Sequence, residues 1–72
     1  VPDFAFQNCT SLKEIVLPSS IKSIGRGAFV YIDDLTIRYG GTKAQWAEIV
    51  KGTDWNKWSV CTVVCTNGTV QE

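Results

Sequence analysis

Aliphatic side chains recur through the first half of this chain at fixed offsets, Leu12-x-x-Ile15-x-Leu17-Pro18-x-x-Ile21-x-x-Ile24. One dipeptide brackets the run twice, as Ala5-Phe6 and Ala28-Phe29, a step of 23 residues from position 5 to position 28. Such self-similarity marks a repeat unit. A unit this short cannot bury its own apolar face, so each copy has to stack against its neighbour. That requirement constrains the fold more than any other feature of the chain.

The offsets suit one coil of a leucine-rich solenoid, whose period runs from about 20 to 29 residues. Leu12, Ile15 and Leu17 would alternate inward along a short strand, and Ile21 and Ile24 would close the arc after a Pro18-Ser19-Ser20 turn. Glu14 and Val16 would then point outward. Gly25 and Gly27 flank Arg26 where the chain has to bend tightly, and Phe6 and Phe29 should stack in successive coils. Ile32-x-x-Leu35-x-Ile37 repeats the first strand at an offset of 20 (12 to 32). An alternative register keeps 23 and equates Leu35 with Leu12, which would put Arg38 on the inward position of Ile15. The shorter offset is preferred because it buries no charge.

After Tyr39-Gly40-Gly41 the periodicity stops. Thr42-Lys43-Ala44-Gln45 is a capping-box pattern. Trp46, Ile49 and Val50 follow at i, i+3 and i+4, predicting a short helix over about 43–51 that ends at Gly52 and docks on the last coil as a lid. Thr53 to Lys57 reads as a loop holding Trp55, and 58–66 as a strand before an Asn67-Gly68 turn. The expected fold class is an α/β solenoid. Residues 1–39 would hold one full and one shortened coil with short parallel strands, and 40–72 a helix-and-strand cap, in one continuous unit. The chain enters partway through a repeat, so it is expected to be the carboxy-terminal piece of a longer protein.

Seven Lys and Arg balance seven Asp and Glu, and the cations are scattered, so nucleic acid is not an expected partner. No segment approaches the roughly 18 apolar residues needed to cross a bilayer. Histidine is absent, which removes the commonest general base and metal ligand. No enzyme, metal site or cofactor is expected. Cys9, Cys61 and Cys65 are odd in number, and Cys61 and Cys65 in an extended strand stand about 13 Å apart, too far for a disulfide. They read as buried thiols, with a Cys9 bridge as the alternative. Asp33-Asp34 reads as a solvated turn.

Ala5-Phe6-Gln7-Asn8-Cys9-Thr10-Ser11-Leu12-Lys13-Glu14-Ile15-Val16-Leu17-Pro18 resembles the repeat of the BspA-type leucine-rich repeat family of bacterial surface proteins. Tyr39-Gly40-Gly41-Thr42 with Gln45-Trp46 and Ile49, and then Val63-Val64-Cys65-Thr66-Asn67-Gly68-Thr69, resembles the segment that closes such arrays. The second coil departs from the pattern by having Val30-Tyr31-Ile32 where the Cys and the full connection would stand. The resemblance implies a secreted or surface-displayed bacterial protein that adheres to or binds host or matrix proteins, and it carries no catalytic residues to transfer.

Glu14, Val16, Asp34, Thr36 and Arg38 would line the ligand-facing strand surface, because they sit between the inward aliphatics. A purely structural capping role competes with binding. Trp46 should pack on the last coil, as should Trp55 and Trp58. The alternative function places Trp55 and Trp58 on an exposed loop, where they would stack on sugar rings and attach the protein to carbohydrate or cell wall.

Overall fold

The computed structural model describes residues 1–72 and holds six strands and one helix. The main strands form where an apolar residue recurs at every second position. β1 (Glu14–Leu17), β3 (Leu35–Tyr39) and β5 (Cys61–Cys65) lie side by side and parallel, and β6 (Gly68–Gln71) joins β5 antiparallel. The two-residue strands β2 (Ser23–Ile24) and β4 (Val50–Lys51) pair parallel in a second, smaller sheet. The main sheet is therefore mixed and open, with β1 and β6 at its edges.

Three six-residue turn segments, 3–8, 26–31 and 53–58, precede β1, β3 and β5. They stack on one another through a regular ladder. The amides of Phe4, Phe6 and Asn8 donate to the carbonyls of Arg26, Ala28 and Val30, and those of Gly27, Phe29 and Tyr31 donate to Thr53, Trp55 and Lys57, at 2.7–3.2 Å. Each segment carries two residues with left-handed backbone, φ between 55° and 62°: Phe4 and Asn8, Gly27 and Tyr31, Asp54 and Trp58. That conformation costs an ordinary residue about 1–2 kcal/mol. Close approach sets a further demand, since a Cβ on Gly25 would overlap the Asp3 amide and one on Gly52 the Arg26 amide.

The register corrects the sequence reading. The turns repeat at 23 between the first two passes (Asn8 to Tyr31), but the strands repeat at 22, with Ile15 opposite Ile37 and Leu17 opposite Tyr39. Neither 20 nor 23 holds along the strand. The connection from the second left-handed residue to the paired row shortens from six residues (8 to 14) to five (31 to 36) to four (58 to 62). One residue is absorbed at each pass. The observed register keeps Arg38 outside, opposite Val16, so the burial of charge that argued against 23 is avoided in another way. Ile32 follows the turn, its amide bonded to Ser59 Oγ at 2.9 Å, and is not the counterpart of Leu12.

The core follows the passes. Phe29, Ile32, Leu35, Ile37, Cys61 and Val63 are fully buried, whereas Phe6, Cys9, Leu12 and Ile15 in the first pass are only partly covered. Phe6 and Phe29 stack at 5.4 Å with planes 3° apart, as the repeat predicts.

The helix α1 (Lys43–Glu48) opens with the expected capping box: Thr42 Oγ1 accepts from the Gln45 amide, and Gln45 Oε1 accepts from the Thr42 amide. It is shorter than the expected 43–51. Ile49 is already extended (φ −67°, ψ 131°), so Val50 enters β4 and turns outward while Trp46 and Ile49 stay buried. Gly52 allows a close backbone contact and does not terminate the helix. Lys51 Nζ donates to the carbonyls of Trp46 and Ile49 and lies 4.6 Å from the Trp46 ring. Burial holds its pKa below the usual lysine range, against the pull of the Glu72 carboxylate. The Trp46 indole donates to Glu72 Oε2 at 2.7 Å and meets Tyr39 and Trp55 edge-on.

The last expected strand, 58–66, is also shorter, because Trp58 is left-handed and pairing starts at Cys61. Its partner β6 was not foreseen. Cys65 pairs with Gly68 across the intervening two-residue loop, and Asn67 Oδ1 accepts the Lys43 amide at the start of the helix.

Candidate functional site

Successive strand residues point to opposite faces. The inward set is Ile15 and Leu17, then Leu35, Ile37 and Tyr39, then Cys61, Val63 and Cys65. The pairing therefore sorts the outward set into two rows across four strands: Glu14, Thr36, Thr62 and Gln71, and Val16, Arg38, Val64 and Thr69. No charge is buried in making this face.

Glu14 and Arg38 meet diagonally, Nε to Oε2 at 2.6 Å, each about half exposed. An ion pair so open to solvent contributes no more than about 1 kcal/mol, so its groups are free to exchange partners with a ligand. Val16 beside it is 69% exposed, a large apolar side chain left facing solvent. Thr62 and Gln71 bond to one another at the far end (3.2 Å). The surface thus runs from a charged, apolar end to a neutral, hydrogen-bonding one.

Of the five residues expected on this face, Glu14, Val16, Thr36 and Arg38 come together on β1 and β3. Asp34 sits in the exposed bend with Asp33 before β3 begins. Thr62 and Val64 were missed, although their alternation with Cys61, Val63 and Cys65 already assigns them to the outer side. Thr69 and Gln71 were missed because β6 is short and carries one strong strand former.

Trp55 and Trp58 separate. Trp55 is 8% exposed and packs edge-on against Phe29 and Trp46, which removes it from any ligand. Trp58 is 62% exposed. The cysteines are unpaired, with Cys61 and Cys65 buried and Cys9 partly buried. Burial, with the Glu72 carboxylate, pushes the Cys61 thiol up to about 11, and burial raises Cys65 against the pull of Lys43. Both stay neutral at physiological pH and make poor nucleophiles. No helix is long and apolar enough to cross a membrane.

The sequence model of the BspA-type leucine-rich repeat region matches residues 1–43. No curated protein and no solved structure matches the chain.

Proposed function

The chain belongs to the BspA-type leucine-rich repeat family, and from that premise we propose that it is the C-terminal capping part of a bacterial cell-surface solenoid that adheres to host or matrix proteins. The family is one of protein-interaction repeat modules, generally non-enzymatic and typically surface-associated in bacteria. In this reading residues 1–39 supply coils, residues 40–72 close the stack with Trp46 docked on Tyr39, and the two parts work as one continuous unit.

The outer sheet face carries the proposal. It is solvent-facing, holds the loosely paired Glu14 and Arg38 beside the exposed Val16, and is continuous over four strands. Solid-phase binding to purified collagen, laminin and fibronectin tests it. Binding to at least one of them should weaken tenfold or more in the double variant Val16→Asp/Arg38→Glu, both positions being exposed. Absence of binding, or equal binding by the variant, removes the reading.

The second reading is carbohydrate or cell-wall attachment. Of its two aromatic contacts only Trp58 is exposed, so it rests on that single ring.

A further inference from the structure

A cleft of about 450 Å³ opens on the turn side of the molecule, and every residue lining it comes from the three stacked turn segments. Its walls carry the three exposed aromatic side chains Phe4, Tyr31 and Trp58, at 48%, 43% and 62% exposure. All three stand at left-handed positions. The other three such positions hold Asn8, Gly27 and Asp54, residue types that adopt this conformation readily.

The turn itself does not call for rings. In the row of Phe4 the same backbone is met by Gly27 and Asp54, and in the row of Tyr31 and Trp58 by Asn8. Backbone preference does not account for an aromatic side chain at these sites. Strained, exposed and clustered residues of this kind point to recognition.

The rings are already arranged. Tyr31 and Trp58 stack at 4.7 Å with planes 17° apart. The Arg26 guanidinium lies over Phe4 at 5.6 Å, and the Lys57 ammonium over Trp58 at 4.5 Å. Asp54 is the one carboxylate lining the cleft, and it reaches Lys57 only at 3.9 Å. Two cations against one loosely paired anion, set around apolar rings, complement an anionic partner that also offers apolar surface.

We propose that this cleft is a second recognition surface, separate from the outer sheet face, that takes an acidic protein segment: a partner aromatic or aliphatic side chain seats against Phe4 and the Tyr31–Trp58 stack, and flanking carboxylates pair with Arg26 and Lys57. None of its residues lies on β1, β3, β5 or β6, so it stands or falls independently of the sheet face.

Fluorescence anisotropy of a labelled random glutamate–tyrosine copolymer tests the assignment, with a lysine–tyrosine copolymer and cellohexaose as competitors. The acidic copolymer should bind, weaken with added salt, and resist both competitors. Affinity should fall at least tenfold in Arg26→Glu/Lys57→Glu and in Trp58→Asn, and be unchanged in Lys22→Glu, an exposed cation outside both surfaces. Trp58→Asn keeps the fold, because Asn8 already occupies the equivalent backbone position, and a thermal melt by circular dichroism checks this. No binding of the acidic copolymer, equal binding by Trp58→Asn, or displacement by cellohexaose would overturn the proposal.

Discussion

Phe6 and Phe29 occupy the same position in successive passes and stack on each other, yet truncating them should have unequal consequences. Phe29 is fully buried and also receives the edge of Trp55, whereas Phe6 is only partly buried. Phe29→Ala should cost about 3–5 kcal/mol, the usual range for emptying a buried phenylalanine site. Phe6→Ala removes the same stacked pair from a site that is only partly buried, so a smaller cost of about 2–3 kcal/mol is expected. A domain of this size holds roughly 4–11 kcal/mol in total. Phe29→Ala therefore leaves it near the threshold of unfolding, and Phe29→Leu gives a graded version. Urea titration followed by far-ultraviolet circular dichroism reads the difference. At a slope of about 1 kcal/mol per molar, Phe29→Ala should lower the midpoint roughly 1–2 M further than Phe6→Ala. If Phe6→Ala costs as much as Phe29→Ala, the difference in burial between the two rings does not set their cost and the reasoning is wrong.

Gly52→Ala should destabilise by about 1–3 kcal/mol, because its Cβ would overlap the Arg26 backbone and no side chain can yield; Gly40→Ala, whose nearest neighbour is 3.2 Å away, should be milder in the same thermal melt. Thr42→Val breaks the capping box and should lower stability by about 1 kcal/mol, with faster hydrogen exchange at the start of α1. The Cys61 pKa is raised from 9.0 to about 11 in the fold, so the unfolded chain releases this proton first. Stability linked to it is fully present below pH 9 and declines as pH rises toward 11; a Cys61→Ala variant should lack that part of the decline. Maleimide labelling at pH 8 should modify Cys9 faster than Cys61, and equal rates would contradict the burial described above.

Much of this could be read from residue order. The Ala-Phe recurrence and the alternating aliphatics reveal a stacked repeat, since a helical or strand period is a local property of which side chains share a face. For the same reason the inward and outward sets of β1 and β3, the capping box, the Phe6–Phe29 stack and the burial of Trp46 were all legible. The exact strand register was not. It depends on how many residues the connection consumes at each pass, and that number falls by one each time for reasons of packing.

Tertiary structure also decided where the helix stops, what the last residues do and which tryptophan meets solvent. Ile49 leaves the helix because Val50-Lys51 find a strand partner in Ser23-Ile24, 27 residues away in the chain (23 to 50). The two tryptophans Trp55 and Trp58 are three positions apart, in a segment with no periodicity of its own. One is buried and the other exposed because the turn ladder fixes the first beneath Phe29 and holds the second in left-handed backbone beside Tyr31. Sequence by itself determined the kind of unit and which faces it buries, because those follow from short-range periodicity. The aromatic cleft and the outer face exist only once separate passes are laid side by side, and the contacts that align β1, β3 and β5 join residues more than twenty positions apart, whereas β6 folds back on β5 locally.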